Sequence, residues 1–135
     1  MEQIRKIQLP ARTDSRGTLV FLEEGVLPFE PARVFYMYGM DASTERGCHA
    51  HRKTKQFILA LRGRFLIELT SGRETIKIEL DSPTSGVYVP PMTWDKLSNF
   101  SEDAICLVAA SEPYDESDYI REWSDYCEIV GIKIK

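Results

Sequence analysis

Short apolar segments, separated by turn residues, recur about every ten residues along most of the chain. They are Leu19–Leu22, Arg33–Tyr38, Gln56–Leu61, Phe65–Leu69, Thr75–Leu80, Gly86–Val89 and Ala104–Ala110. Within Thr75–Leu80 every second residue is apolar, which is the pattern of a strand with one buried face. Ser71-Gly72 separates this segment from Phe65–Leu69 and predicts a hairpin. Many short strands at this spacing predict an all-β sandwich or a small barrel.

The last part of the chain has a different periodicity. From Ser117 to Val130, apolar side chains return at intervals close to i, i+3, i+4 and i+7, and acidic residues stand at the start, as helix N-termini favour. We therefore expect one amphipathic helix over Ser117–Val130, with its apolar stripe packed on the β-structure.

Composition limits the classes to which the chain can belong. Its 135 residues, 43% of them apolar, suffice for one core, so we expect a single domain over residues 1–135. The net charge is −4, and the chain lacks the basic cluster of a protein that binds nucleic acid polymers. No apolar run approaches the ~20 residues that span a membrane. Three cysteines without CxxC spacing, and no visible signal peptide, predict a cytoplasmic protein.

The two histidines of the chain, His49 and His51, lie in the segment Gly47-Cys48-His49-Ala50-His51. In an extended segment, residues i and i+2 point to the same face, roughly 6–7 Å apart. Two imidazoles on one face can share a metal ion or act together on a substrate, and histidine titrates near neutral pH. This pair is therefore the first candidate for acid–base chemistry.

The spacing around the histidines resembles the motifs of the cupins. The layout H-x-H-x₄-Q-x₆-G, which begins at His49, matches the first cupin motif, H-x-H-x₃₋₄-E-x₆-G, and residues 86–99 resemble the second. The resemblance implies a cupin-type jelly-roll β-barrel with a short C-terminal helix. Gln56 and Asp95 replace the usual glutamate and third histidine of cupin metal sites, which disfavours a metal. His49, His51 and Asp95 nevertheless stay open as a two-His-one-carboxylate site.

Six segments extend the resemblance over most of the chain. They are Asp14–Leu19, Arg33–Tyr36, Arg46–His51, Leu80–Pro83, Gly86–Val89 and Tyr114–Arg121. Together they resemble the nucleotide-sugar 3,4-ketoisomerases, WxcM-like cupin enzymes that act on dTDP-4-keto-6-deoxyglucose. The resemblance implies an isomerase that uses no metal or other cofactor, forms a homodimer and serves deoxyamino-sugar biosynthesis.

Moving a ketone from C4 to C3 needs only proton transfers. A base removes the C3 proton and an acid protonates O4 to give an enediol, and the reverse transfers follow at O3 and C4. The resemblance implies that His49 and His51 are the acid–base pair. We expect Tyr36 to be a third proton-shuttling or orienting group, although Tyr38 has the same strand parity and the choice between them stays open.

The ligand suggests the binding residues. A diphosphate favours arginine and lysine, and Arg33, Arg46 and Lys53 flank the expected pocket in sequence. The family comparison adds Arg16, which favours the galacto product, dTDP-3-keto-6-deoxygalactose, whereas Asp95 stands where the family is expected to have His or Arg and leaves the C4 stereochemistry open. The expected substrate-binding residues are Arg16, Arg33, Tyr38, Arg46, Lys53, Gln56 and Asp95.

Two other functions stay open from the sequence. One is a metal-dependent cupin enzyme with His49, His51 and Asp95 as ligands, and the other is a non-catalytic sugar-binding cupin. Elemental analysis with an activity assay after chelation separates the first from a metal-free isomerase. Turnover of a bound dTDP-sugar separates the second.

Overall fold

Two five-stranded antiparallel sheets contain most of the strands of this protein. The computed structural model describes residues 2–132. Its strands are β1 (Arg5–Gln8), β2 (Ala11–Asp14), β3 (Gly17–Val20), β4 (Arg33–Tyr38), β5 (Arg46–His51), β6 (Gln56–Arg62), β7 (Phe65–Ser71), β8 (Glu74–Leu80), β9 (Ser85–Val89), β10 (Trp94–Ser98), β11 (Ile105–Ala110) and β12 (Tyr119–Ile120), and its helix is α1 (Trp123–Val130). One sheet has the order β1-β9-β6-β11-β4 and the other β12-β5-β10-β7-β8. Both sheets join strands that are far apart in sequence, which confirms the cupin-type jelly roll, although the two sheets do not close into one continuous barrel.

The strands predicted from periodicity are confirmed. Each predicted segment overlaps an observed strand, and Arg33–Tyr38 matches β4 at both ends. The predicted hairpin is also confirmed, since β7 pairs with β8 from Phe65↔Leu80 to Ser71↔Glu74. Gly72 lies in its turn with a φ of 63°, a conformation that glycine adopts without the steric cost of a Cβ.

The main core lies between the two sheets. Ile67 and Leu69 of β7 in one sheet join the same buried cluster as Ile58 of β6 and Val108 of β11 in the other. Burial of each such side chain stabilises the fold by about 1.5–3 kcal/mol. Gly86 of β9 allows close packing here, because a Cβ at this position would lie 2.4 Å from the carbonyl oxygen of Ile58.

The predicted helix over Ser117–Val130 is wrong in its first part. A 3-10 turn covers Glu116–Asp118, and β12 follows it, pairing Tyr119 with His51 at the edge of β5. The helix begins only at Trp123, which confirms a short C-terminal helix. In the sequence, the apolar residues of β12 and α1 together resemble the apolar face of one helix, because a two-residue strand is too short to show the two-residue period of a strand. The strand places the preceding turn beside β5.

The hairpin of β2 and β3 stands apart from both sheets and is almost wholly exposed. Its turn carries Arg16, whose guanidinium pairs with Asp14 at 2.6 Å. Within residues 2–132, no helix is long and apolar enough to cross a membrane.

Candidate active site

A cavity opens between the two sheets at the end where β5 and β10 lie side by side. Five residues give it polar walls, and apolar side chains of both sheets complete it. The polar lining residues are Arg46, His49, Gln56, Asp95 and Arg121, with Tyr119 beside them; the apolar ones are Phe35, Met37, Ile58, Leu97 and Val108.

A bulge in β5 shapes the cavity. Asp95 pairs with His49 and Lys96 with Gly47, so β5 contains one extra residue, Cys48, at this point. Gly47 and Cys48 both have positive φ, 77° and 59°. A Cβ at Gly47 would lie 2.1 Å from Asp95 Oδ1, so glycine lets the carboxyl pack directly against the backbone of β5.

The two histidines lie together, as predicted from their spacing. Their ring centroids are 5.1 Å apart and the rings are nearly perpendicular. Tyr119 packs against both, at 5.0 Å from His49 and 4.3 Å from His51. His49 lines the cavity, whereas His51, with 4% of its surface exposed, lies behind it.

The environment of His51 fixes which ring nitrogen carries a proton. Its Nδ1 lies 3.0 Å from Asp118 Oδ2, and Asp118 also accepts hydrogen bonds from the Lys53 backbone N–H at 2.7 Å and from the Thr54 hydroxyl. Burial alone would raise the pKa of Asp118, but the bonds from Thr54, Lys53 and His51 outweigh it and lower that pKa. The ionised carboxylate can only accept, so Nδ1 of His51 is the donor.

His51 therefore keeps a lone pair on Nε2. Burial lowers its pKa, although the bond to Asp118 acts in the opposite direction, so the ring is neutral near pH 7. Nε2 is buried and has no hydrogen-bond partner among the described residues. A neutral imidazole held in one tautomer with a bare nitrogen is ready to accept a proton.

His49 and Asp95 form a second pair, in which burial disfavours both charges. Asp95 Oδ2 lies 3.8 Å from His49 Nε2. Burial, with smaller effects of His51 and Arg121, lowers the pKa of His49 to about 4. Burial raises the pKa of Asp95 to about 8, and its Oδ1 has no hydrogen-bond partner in residues 2–132. Near neutral pH this pair therefore consists of a neutral imidazole and a protonated carboxyl group.

Arginines and aromatic rings surround the cavity mouth. The Arg33 guanidinium lies over the ring of Tyr114 at 5.6 Å and donates from Nη2 to the Tyr119 hydroxyl at 3.4 Å. Arg121 lies over the ring of Tyr119 at 4.2 Å. Arg46 lines the cavity wall itself. Cations beside flat rings are the groups that a nucleoside diphosphate needs.

Six of the predicted site residues do not line this cavity; His51 and Arg33 contact residues that line it, whereas the other four lie away from it. Tyr36 and Tyr38 are 63% and 73% exposed, because β4 turns Phe35 and Met37 inward and its even-numbered residues outward. Arg16 lies on the exposed hairpin, and Lys53 points to an open surface where it approaches Asp115. Within a single chain these four side chains do not reach the cavity, and the roles predicted for them stay predictions.

The sequence predictions missed three residues that complete the site. These are Asp118, Tyr119 and Arg121. They lie in the segment Tyr114–Arg121, which matched the family resemblance. The signal was present but was assigned to the start of a helix.

The predicted alternative metal site is not assembled. In the part of the chain that the structure describes, no group of three His, Cys, Asp or Glu side chains is arranged to hold a metal ion.

Comparisons with known proteins identify the family. The model of the FdtA family, described as WxcM-like, C-terminal, matches residues 2–131. The TDP-4-oxo-6-deoxy-alpha-D-glucose-3,4-oxoisomerase of Aneurinibacillus thermoaerophilus is 41% identical over 119 residues, which are 87% of this chain and 86% of that protein.

Solved structures give the same match. The sugar 3,4-ketoisomerase QdtA of Thermoanaerobacterium thermosaccharolyticum, in complex with TDP, superposes with a TM-score of 0.91 at 35% identity, over 95% of this chain and 94% of that one. A mutant of the same enzyme in complex with TDP-4-keto-6-deoxyglucose also has a TM-score of 0.91, at 34% identity over 96% and 95% of the two chains.

Proposed function

The chain is an isomerase of the FdtA family (WxcM-like, C-terminal), a family of nucleotide-sugar 3,4-ketoisomerases, and we propose from this its specific reaction. The protein converts dTDP-4-keto-6-deoxyglucose into a dTDP-3-keto-6-deoxyhexose. The observation that carries the proposal is the contact between two neutral histidines, of which His49 is half-buried in the cavity wall and His51 is buried beside it. The relatives named above support the substrate, since one is named for this reaction and another was solved with this sugar nucleotide bound.

His49 meets the sugar carbon in this proposal. It lines the cavity, and its lowered pKa keeps it unprotonated at neutral pH, as a base must be. It removes the proton from C3 and later returns it to C4. Because one ring serves both carbons, the proton enters and leaves on one face of the sugar.

His51 serves the oxygen side. Its bare Nε2 lies behind His49, and Asp118 stabilises the imidazolium that forms when Nε2 takes the proton of the O3 hydroxyl. The reaction is an internal oxidation and reduction between C3 and C4 of the sugar, so proton transfer alone completes it.

The rest of the nucleotide binds at the cavity mouth. Arg33, Arg46 and Arg121 supply positive charge for the diphosphate. Tyr114, which is exposed beside Arg33, offers a flat surface to the thymine ring. Gln56, buried in the cavity wall, is placed to hydrogen-bond a sugar hydroxyl.

We further propose a homodimer that works in the cytoplasm. Val34, Tyr36 and Tyr38 form an exposed apolar row on β4, an edge strand. A second copy that covers this row would bury it and protect the edge. Arg16 and the galacto product are part of the same proposal, because Arg16 does not line the cavity of its own chain and can act only at a neighbouring one.

The function is tested by incubating the protein with dTDP-4-keto-6-deoxyglucose in deuterated water and following C3 and C4 by NMR. We expect a 3-keto product with deuterium at C4 and recovered substrate with deuterium at C3, because the proton on His49 exchanges with solvent before it returns to carbon and C3 of the product carries no hydrogen. His49→Asn and His51→Asn should remain folded and lose most product formation. Absence of both product and deuterium with the wild-type protein would sink the proposal, and full activity of either variant would remove that histidine from the mechanism.

A further inference from the structure

Asp95 is a buried carboxyl group whose charge no cation or hydrogen-bond donor among residues 2–132 compensates. Its side chain lines the cavity with 2% of its surface exposed, and its Oδ1 has no partner among the described residues. A buried carboxylate without compensation costs several kcal/mol, so such groups usually hold a proton instead. Because Asp95 lies in the cavity wall, a proton on its carboxyl group would face a bound substrate.

The surroundings of Asp95 are mostly unable to stabilise its charge. The titratable or charged groups near it are Arg46, Cys48 and His49 on β5, Cys106 on β11, Tyr119 of β12 and Arg121 after it, and Glu68 on β7 lies near Cys48. Glu68 pairs with Lys96 at 3.1 Å and so is already neutralised. Burial raises the pKa of Cys106, which keeps that thiol uncharged. Within residues 2–132, neither arginine comes within ion-pair distance of the carboxyl.

The distance to His49 leaves room for a substrate oxygen. Asp95 Oδ2 and His49 Nε2 are 3.8 Å apart. At this separation the two groups can contact neighbouring atoms of one substrate, Asp95 an oxygen and His49 the carbon beside it. In a 4-keto sugar, O4 is bonded to C4 and C3 is the next ring atom, so a base that contacts C3 and an acid that contacts O4 must be close neighbours.

His49 does not supply the proton that O4 needs. With its pKa lowered to about 4, it is unprotonated at neutral pH, and its lone pair is committed to C3. His51 is likewise neutral and acts as an acceptor. Among the described residues that line the cavity, Asp95 supplies the carboxyl group, and at neutral pH this group holds a proton that it can give to an oxygen.

We propose that Asp95 is the catalytic acid that protonates the keto oxygen O4 of the sugar. The inference rests on the proposed ketoisomerase function. His49 takes the C3 proton, the C–H electron pair becomes the C3=C4 double bond, and the carbonyl π pair moves to O4, which takes the proton of Asp95. In the second half, His51 takes the O3 proton, the C3=O3 bond forms, and the C3=C4 pair takes the proton of His49 at C4. The proton on His51 returns to the Asp95 carboxylate through solvent after product release.

The test compares Asp95→Asn with Asp81→Asn, the same chemical change at an exposed site. Asparagine keeps the size of the side chain but has no acidic proton. We expect turnover by Asp95→Asn to fall about 100-fold or more, with KM changed less than about threefold. Deuterium exchange at C3 of recovered substrate should fall equally, because deprotonation at C3 needs the acid at O4. Asp81→Asn should match the wild type in both.

Turnover and C3 exchange by Asp95→Asn within about threefold of the wild type would overturn the inference, while a wild-type protein without turnover would instead count against the proposed function. A second measurement does not depend on activity or on the folding of a variant. The infrared spectrum of the wild type should contain the carbonyl band of a buried protonated carboxyl at about two pH units below the Asp95 pKa of about 8 and lose it at about two units above. Absence of the band at the lower pH would show an ionised Asp95 and would equally overturn the inference.

Discussion

Asp118→Asn tests the site most sharply, because the structure dictates how the asparagine must turn. Asp118 Oδ1 accepts from the Lys53 backbone N–H, and Oδ2 accepts from His51 Nδ1 and from the Thr54 hydroxyl. The amide nitrogen of asparagine is a donor and cannot face the fixed backbone N–H of Lys53. It must therefore take the place of Oδ2, where the Thr54 hydroxyl can rotate to accept.

The turned amide forces His51 to change tautomer. With a donor facing Nδ1, the ring must carry its proton on Nε2, which removes the lone pair that takes the O3 proton. Restoring the active tautomer would cost one hydrogen bond to a polar partner, about 1.5–3 kcal/mol. At a factor of ten for each ~1.4 kcal/mol, formation of the 3-keto product should slow about 10- to 150-fold.

The assay separates the two halves of the reaction. His49 and Asp95 remain intact in Asp118→Asn, so deuterium should still enter C3 of the substrate at close to the wild-type rate while product formation falls. Thr54→Val is the matched control: it removes a hydrogen bond to Asp118 without changing what faces His51 Nδ1, and it should cost less than about fivefold. Product formation by Asp118→Asn within about threefold of wild type, or loss of C3 exchange in step with product, would refute the reasoning.

Three further predictions concern the bulge, the buried carboxyl and the exposed row on β4. Gly47→Ala should lose most turnover, and its free energy of unfolding in urea should fall by about 2–4 kcal/mol, because the new Cβ would overlap Asp95 Oδ1 and the φ of this residue is positive. The control Gly72→Ala, which has a positive φ but open space around the Cβ, should lose only about 1 kcal/mol. Equal losses in the two variants would contradict the role of the bulge. The wild-type free energy of unfolding should fall between pH 7 and the Asp95 pKa of about 8, because the unfolded chain has already lost the Asp95 proton while the folded chain still keeps it. His49 does not contribute to this fall, since the stability gained from its lowered pKa is already complete near the unfolded pKa of 6.5. A fall of the same size in Asp95→Asn would have another cause. Light scattering should give the mass of a dimer, and Tyr36→Glu should shift it towards the monomer; a wild-type monomer would leave Tyr36, Tyr38 and Arg16 without a site.

The strands and the histidine pair could be predicted because each depends on local alternation. Period-two patterning within Thr75–Leu80 identified β8, and the same rule placed His49 and His51 on one face. Alternation also showed that Tyr36 and Tyr38 share a face, but not that this face points outward. The residues between them, Phe35 and Met37, are apolar as well, so the sequence of β4 does not show which of its two faces is buried.

The partner of His51 could not be predicted from local patterns. Asp118 lies 67 residues away along the chain, and it reaches His51 only because the two-residue strand β12 pairs with the edge of β5. The bulge at Gly47-Cys48 is equally invisible, since one extra residue in a strand depends on its neighbour β10. Both features arise from pairing between distant strands, and both decide the chemistry of the site.

Asp95 and Asp118 show why residue identity alone does not assign a role. Asp118 accepts three hydrogen bonds, which together outweigh the cost of its burial and keep it ionised. Asp95 is buried against the backbone of Gly47, and no donor in the described part of the chain reaches its Oδ1, so burial raises its pKa and the carboxyl keeps its proton at neutral pH. Two aspartates thus have different roles: Asp118 holds His51 in its active tautomer, and Asp95, beside His49, carries an acidic proton. Environments that push the pKa values of two carboxyl groups apart let one of them give up a proton while the other stabilises a protonated base.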